Sequence, residues 1–152
     1  IRTVLKGFAG VAHRIEYVAT VDGVDYYNDS KGTNVDASIR AVLAMKKPIV
    51  LIGGGYDKGS SFDEWTKLFP GRVKHLVLIG VTAPKVRASA EQFGFTAISD
   101  CETFAEAVDL CREKAEDGDC VLLSPACASW GMFDNYEQRG DMFKEQVRGY
   151  LK

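Results

Sequence analysis

The segment at residues 24–34 reads VDYYNDSKGTN, and residues 35–45 continue it as VDASIRAVLAM. The first four residues have the β-branched and aromatic character of a strand, and residues 35–45 have the apolar spacing of a helix. The polar loop between them places a lysine and hydroxyls beside a helix N-terminus, where free N–H groups and the helix dipole attract anions. The sequence therefore predicts a binding place for phosphate or carboxylate in this loop.

Strand-like and helix-like segments alternate on both sides of this turn. Residues 13–21 and 24–28 read as two strands joined by Asp22-Gly23, a dipeptide suited to a tight hairpin. Further apolar strands are predicted at 48–52, 73–79, 95–98 and 120–123, and amphipathic helices at 35–45, 62–69, 84–93 and 102–116. Because the later strands are continuously apolar, both their faces should be covered. The pattern predicts an α/β, Rossmann-like fold: a mostly parallel sheet flanked by helices, with an antiparallel N-terminal hairpin.

Local signals support the limits of the helices. Ser99 and Glu102 have the spacing of a capping box, which predicts a helix that begins near residue 102. Gly94 and Gly118 stand where helices should end. A C-terminal amphipathic helix is predicted to contain Phe143.

Composition limits the classes of protein that fit. The chain has 152 residues and a net charge of −2, which suits one domain and supplies no broad positive field for nucleic acid. Its four cysteines form no CxxC pair, which argues against zinc and against a disulfide framework. No apolar run reaches the ~20 residues of a membrane span, so we expect a cytoplasmic protein without a membrane anchor. Because the chain begins without Met, we expect a piece of a longer protein.

Three polar loops should meet at the carboxyl ends of the parallel strands, where ligands bind in such sheets. They lie at residues 29–34, 53–59 and 124–130. The glycine-rich loop GGGYDKG at 53–59 matches neither the P-loop nor GxGxxG. It is therefore either a structural turn or a binding site that uses Lys58. In the simpler interpretation, Asp57 and Lys58 form an exposed ion pair. Lys31 and Thr33 likewise read as anion ligands or as a solvated lysine and a helix cap.

Five blocks occur in a fixed order along the chain: HRIE at 13–16, NDSKGTN at 28–34, GGGYDKG at 53–59, LSPACAS at 123–129 and FDNYEQRG at 133–140. In this order they resemble the C-terminal domain of the Mur ligases, over nearly the whole chain. The type that adds D-glutamate to UDP-N-acetylmuramoyl-L-alanine is the most similar. The resemblance implies that residues 1–12 are an interdomain linker and domain start and that residues 13–152 are the C-terminal domain. It also implies that the N-terminal uridine-binding and central ATPase domains lie outside this chain.

The family implies an activity for the complete enzyme. ATP, with Mg²⁺, would convert the substrate carboxylate to an acyl phosphate that the amine of D-glutamate attacks, a step of peptidoglycan biosynthesis. The C-terminal domain would bind D-glutamate and close over ATP. We expect a monomer in the bacterial cytoplasm, no catalytic residue or metal ligand in this domain, no tightly bound cofactor, and no ligation by the domain alone.

The resemblance also assigns residues to the two ligands. The residues assigned to the ATP base and ribose are Arg14 and Asp29. The residues assigned to the α-carboxylate of D-glutamate are Lys31, Thr33 and Lys58. The groups assigned to its side-chain carboxylate are Ser129 and the backbone near Tyr136. Further members of the predicted site are Ser30, Asn34 and Asp57. Asp57 and Lys58 are adjacent, whereas some relatives separate the acidic and basic residues of this loop by one position.

Three alternatives remain. A related ligase domain could add a different amino acid, as in other Mur ligases or in folylpolyglutamate synthase. A free-standing Rossmann-like binding module would share the fold without the ligation. A redox enzyme fits least, because the chain has no dinucleotide fingerprint.

Overall fold

The computed structural model describes residues 12–151, in which six strands alternate with five helices. In chain order these elements are β1 (Glu16–Val21), β2 (Val24–Asn28), α1 (Val35–Ala44), β3 (Ile49–Gly53), α2 (Asp63–Thr66), β4 (Val73–Leu78), α3 (Ala83–Gln92), β5 (Ile98–Asp100), α4 (Phe104–Lys114), β6 (Cys120–Leu123) and α5 (Tyr136–Gly149).

All six strands belong to one sheet, in the order β1-β2-β6-β3-β4-β5. β1 and β2 pair antiparallel, and every other neighbouring pair is parallel. The hairpin turn has positive φ at Asp22 (53°) and Gly23 (79°), as a two-residue turn of this hand requires. The predicted fold class is therefore confirmed, including the antiparallel N-terminal hairpin.

Helices cover both faces of the sheet, which explains why the central strands are continuously apolar. On one face, Leu51 and Leu122 pack in a buried cluster with side chains from α1, α2 and α3. On the other face, Val50 and Val121 pack with side chains from α4 and α5. Because consecutive strand residues point to opposite faces, each of these strands needs apolar side chains at every position.

The predicted capping box at Ser99 and Glu102 is wrong. Ser99 lies within β5, and its hydroxyl forms a hydrogen bond of 2.8 Å with His75 Nε2. The capping box that begins α4 is formed by Thr103 and Glu106, whose side chains each bond to the backbone N–H of the other. Both pairs have the same spacing, and the pairing of Ser99 with β4 decides between them.

Three other predicted limits shift for identifiable reasons. β1 starts at Glu16 rather than residue 13, because His13 and Ile15 have positive φ. β5 starts at Ile98 rather than residue 95, because the Phe95 N–H still bonds to the Ala90 carbonyl at the end of α3. The helix predicted at 62–69 is one turn, Asp63–Thr66, followed by tighter turns.

The glycine loop after β3 packs backbone against backbone. A Cβ on Gly54, whose φ is 100°, would lie 2.2 Å from the Ile79 carbonyl oxygen. A Cβ on Gly80 would lie 2.7 Å from the Gly55 Cα. The consecutive glycines therefore have a structural reason: only residues without a side chain let this loop lie against the end of β4.

Candidate functional site

The three polar loops meet at the carboxyl edge of the sheet, the edge at which the parallel strands end. The Ala126 N–H donates to the Gly32 carbonyl at 2.9 Å, which joins the loop after β6 to the loop after β2. The Gly54 N–H donates to the Pro125 carbonyl at 3.0 Å, which joins the loop after β3 to the same loop. The convergence predicted from the sequence is therefore observed, and the loop after β6 lies in the middle.

A buried arginine fastens the first turn of α5 to two of these loops. Arg139 is 1% exposed, and its guanidinium donates to the Ser30 hydroxyl (2.9 Å), the Ser30 carbonyl (2.7 Å) and the Cys127 carbonyl (3.2 Å). Burial lowers the pKa of Arg139 to about 10, so it remains a cation at neutral pH. Such a charge is tolerated in the interior because its donors are satisfied.

Asp29 is held inside the site rather than at its surface. It is 3% exposed, and its carboxylate accepts hydrogen bonds from the Ile15 N–H (3.1 Å) and the Ser124 hydroxyl (2.7 Å). Burial raises the pKa of Asp29 to about 6, against the lowering effects of these two bonds and of the positive charge on Arg14. Arg14 is exposed, so the two residues predicted to contact ATP combine an accessible cation with a largely enclosed carboxylate.

Ser30, Asn34 and Asp57 make hydrogen bonds within the protein. The Ser30 hydroxyl donates to the Tyr136 carbonyl at 2.7 Å and accepts from Arg139. Asn34, not Thr33, is the N-cap of α1, and its side chain accepts from the Ala37 N–H at 2.9 Å. The Asp57 carboxylate accepts from the Gly59 N–H at 2.7 Å.

The exposed ion pair considered for Asp57 is made with another lysine. Asp57 Oδ1 lies 3.5 Å from Lys85 Nζ, on α3. Lys58 is exposed, and within the described part of the chain its ammonium makes no hydrogen bond or ion pair. Among residues 12–151, Lys58 is therefore left without an ion-pair partner.

Three other polar side chains of the predicted site are equally uncommitted. Across residues 12–151, no hydrogen bond occupies the Lys31 ammonium or the hydroxyls of Thr33 and Ser129. The Lys31 ammonium lies 6.0 Å from the ring centroid of Tyr136, a cation–π contact. Tyr136 is the first residue of the 14-residue helix α5, where backbone N–H groups lack helical acceptors. The edge thus offers two cations, two hydroxyls and a helix N-terminus.

Two residues that the sequence analysis left without a role support this edge. Arg139 is one, and the FDNYEQRG block that contains it was the available signal. His13 is the other: it is buried, its Nδ1 lies 2.9 Å from Asn28 Nδ2, and its ring meets the ring of Tyr136 edge to face. A Cβ on Gly140 would lie 2.1 Å from His13 Nδ1, so this glycine makes room for the imidazole.

Two kinds of feature are absent from the described residues. No group of three or more His, Cys, Asp or Glu side chains between residues 12 and 151 is arranged to hold a metal ion. No helix in the same range is long and apolar enough to cross a membrane.

Comparison with known proteins identifies the class of this chain. Residues 13–127 match the family described as "Mur ligase, glutamate ligase domain". The chain therefore belongs to the Mur ligase family, as the resemblance of its five blocks predicted.

Curated relatives extend the comparison over almost the entire chain. A "UDP-N-acetylmuramoylalanine--D-glutamate ligase" of Lachnospira eligens is 59% identical over 143 residues, which are 94% of this chain and 32% of that protein. A protein of the same name from Thermoanaerobacter sp. (strain X514) is 57% identical over 149 residues, 97% of this chain and 33% of that protein. This chain spans about a third of the length of these relatives.

A solved structure shares the fold. The UDP-N-acetylmuramate-alanine ligase of Thermotoga maritima matches with a TM-score of 0.65 and 15% sequence identity, over 97% of this chain and 32% of that one. At this level of identity the likeness concerns the fold alone.

We predict that Arg139→Met destabilises the chain. The substitution leaves the Ser30 and Cys127 carbonyls buried without their donor, so the free energy of unfolding should fall by roughly 2–4 kcal/mol. Urea denaturation measures this change, and Arg148→Met, at an exposed position on the same helix, is the control. A loss below about 1 kcal/mol would show that Arg139 is not needed to hold the loops.

We also predict a specific pH dependence for Asp29→Asn. Because burial raises the pKa of Asp29 from 3.8 to about 6, the folded state binds this proton more tightly than the unfolded state. The contribution of Asp29 is therefore fully present below about pH 4 and is lost as the pH rises through about 6. As the pH rises from about 4 to about 6, the free energy of unfolding of the variant should therefore increase relative to that of wild type by on the order of 1–3 kcal/mol.

Urea denaturation at several pH values tests this expectation. The exposed Glu113→Gln on α4 is the control, since it should show no such trend. A difference between Asp29→Asn and wild type that stays constant across the range would contradict the raised pKa.

Proposed function

We propose that this chain is the C-terminal domain, residues 13–152, of an ATP-dependent ligase that adds D-glutamate to UDP-N-acetylmuramoyl-L-alanine in peptidoglycan biosynthesis. The domain binds the incoming D-glutamate and closes over ATP. The names of the relatives support the choice of amino acid, and the carboxyl edge of the sheet supports the role in binding.

One observation carries the proposal: the polar groups at this edge fall into two sets. Ser30 and Arg139 are buried and form their hydrogen bonds inside the protein. Lys31 and Lys58, by contrast, have no hydrogen-bonded or ionic partner among the described residues. Uncommitted cations held on a rigid edge suit an anionic ligand, since its carboxylates would make charge-assisted hydrogen bonds.

D-glutamate fits this set because it carries two carboxylates. Lys31, Thr33 and Lys58 would bind the α-carboxylate, and the Ser129 hydroxyl with the N–H groups at the start of α5 would bind the side-chain carboxylate. Both ends would then be fixed, with the amine free to attack the acyl phosphate. Orienting a nucleophile in this way can supply a large part of the rate enhancement of an enzyme.

ATP would be contacted by Arg14 and Asp29. Arg14 is exposed and available to a purine, and the Asp29 carboxylate accepts two hydrogen bonds within the chain and keeps further lone pairs. Mg²⁺ and the groups that activate the phosphate would be held by the rest of the enzyme, which we take to be a monomer of the bacterial cytoplasm. This chain alone would bind and orient substrates without catalysing ligation.

The experiment that tests the proposal measures phosphate release by the complete protein that carries this domain. The protein is supplied with ATP, Mg²⁺ and UDP-N-acetylmuramoyl-L-alanine, and D-glutamate is compared with L-glutamate, L-lysine and diaminopimelate. We expect turnover with D-glutamate alone. Turnover with another amino acid would assign the domain to a different ligase, and no turnover with any of them would favour a binding module.

Lys31→Ala tests the binding role of the first loop. Loss of a charge-assisted hydrogen bond worth about 1.5–3 kcal/mol should raise the KM for D-glutamate roughly 10- to 150-fold. Lys46→Ala is the control, because Lys46 is an exposed lysine that precedes β3, at the opposite edge of the sheet. Unchanged kinetics in Lys31→Ala would remove this residue from the site.

A further inference from the structure

Two large aromatic side chains face each other at the carboxyl edge, and the proposed function gives neither a role. Tyr56, in the loop after β3, and Trp130, in the loop after β6, have ring centroids 5.2 Å apart in an edge-to-face arrangement. They remain 42% and 56% exposed. Each ring therefore packs chiefly against the other rather than into the core.

The backbones of the same two loops are also paired with each other, at the residues next to these rings. The Tyr56 N–H donates to the Ala128 carbonyl at 2.9 Å, and the two residues form an isolated antiparallel bridge. A Cβ on Gly55 would lie 2.6 Å from the Ala128 carbonyl oxygen. The two loops thus contact each other through their backbones at the bridge and through the two rings on the solvent side of it.

The pair lies next to two uncommitted polar groups of the site. Trp130 directly follows Ser129, and Tyr56 precedes Lys58 by two residues. The Cys127 thiol lies in the loop after β6, and its pKa is raised chiefly by burial and is also affected by the charges of Asp57 and Lys58. Both sides of the contact therefore carry a residue that the proposed function assigns to D-glutamate.

The two sides of this contact are fixed to different degrees. Arg139 binds the Cys127 carbonyl, so the loop after β6 is anchored to α5. Beyond Tyr56, the loop after β3 is exposed from Asp57 to Gly59, and a Cβ on Gly59 would meet no atom within 4 Å. Among the described residues, the ring pair is thus the last contact of this loop with the anchored loop after β6 before Lys58, while the ion pair of Asp57 with Lys85 joins the next residue to α3.

We propose that Tyr56 and Trp130 form a clasp that sets the spacing between Lys58 and Ser129, and so selects the length of the dicarboxylic amino acid that the site accepts. This inference rests on the proposed function, because it takes Lys58 and Ser129 as contacts to opposite carboxylates of one ligand. Tyr56 and Trp130 are positioning residues in this account, since they act through their neighbours.

Length selection follows from the chemistry of the ligand. D-glutamate separates its carboxyl-bearing α-carbon from the second carboxylate by two methylene groups, and D-aspartate by one. A rigid spacing lets only one of these acids reach both contacts, whereas a loose spacing adjusts to either. The clasp would therefore affect binding of the amino acid and its discrimination, while leaving the ATP contacts at Arg14 and Asp29 unchanged.

The test compares Trp130→Ala and Tyr56→Ala with the unmodified complete protein in the phosphate-release assay. An edge-to-face aromatic pair stabilises the contact between the two loops, so its loss should raise the KM for D-glutamate roughly two- to tenfold. The KM for ATP should stay unchanged. The preference for D-glutamate over D-aspartate in kcat/KM should fall. Because one contact is lost in either variant, the double variant should be no worse than the more affected single one.

Three further variants separate this role from a general loss of structure. Trp130→Phe retains an aromatic edge and should restore most of the preference, whereas Trp130→Leu retains apolar bulk without the ring and should not. Phe93→Ala replaces an aromatic residue of similar exposure (39%) at the end of α3, and it should leave both KM values unchanged.

The outcomes distinguish the two proposals. If the unmodified protein uses D-glutamate while Trp130→Ala and Tyr56→Ala keep its KM and its preference over D-aspartate, the clasp is refuted and the proposed function stands. If the unmodified protein does not use D-glutamate, both are overturned. Equal effects of Trp130→Phe and Trp130→Leu would also refute the clasp, because they would show that the ring geometry is irrelevant.

Discussion

The buried guanidinium of Arg139 is the interaction on which the candidate site depends. A cation removed from water must use its donors, and the acceptors here are backbone carbonyls of two different loops together with the Ser30 hydroxyl. Meeting that requirement fixes α5, the loop after β2 and the loop after β6 relative to one another. The hydrogen bond from the Ser30 hydroxyl to the Tyr136 carbonyl adds a second link between the loop after β2 and α5. The loop after β3 then joins by its backbone bonds to residues 125 and 128.

The polar residues at the carboxyl edge divide between those whose side chains hydrogen-bond within the protein and those whose side chains have no such partner among the described residues. Ser30 belongs to the first group, since its hydroxyl donates to the Tyr136 carbonyl and accepts from Arg139. Lys31 belongs to the second group, since its ammonium lies 6.0 Å from the ring centroid of Tyr136 and has no hydrogen-bonded or ionic partner among the described residues. A sequence motif such as NDSKGTN therefore mixes residues that hold the loop with residues available for binding. Neighbours along the chain need not share a role.

The fold could be predicted from the sequence because its main signals are local and repeated. Continuous apolar strands indicated a covered parallel sheet, and Asp22-Gly23 indicated the hairpin. Where two local signals competed, the sequence did not decide: Ser99 and Thr103 both begin a capping box in the sequence, and only the pairing of β5 with β4 excludes the first.

The meeting of the three loops at the candidate site could be predicted from the sequence, whereas the hydrogen bonds within it could not. The rule that ligands bind beyond the carboxyl ends of parallel strands brought the three loops together. The role of Arg139 could not be read from residue spacing, because its partners Ser30 and Cys127 are distant in sequence and lie in loops without a regular period. The contact between Tyr56 and Trp130 could not be predicted either, because these residues are also distant in sequence and lie in irregular loops.

The strand order also has a consequence for how the chain acquires its structure. β6, at residues 120–123, lies between β2 and β3, which are both in the first third of the chain. Until β6 is in place, β2 and β3 each expose an unpaired, apolar strand edge of the kind that leads to aggregation. Closing the sheet requires contacts between residues about 70 to 95 positions apart, which slows folding relative to a sheet built from neighbours. Of the six described strands, the one that completes this edge of the sheet is thus the last to be synthesised, and a chain that stops before it lacks both the candidate site and the protection of its sheet.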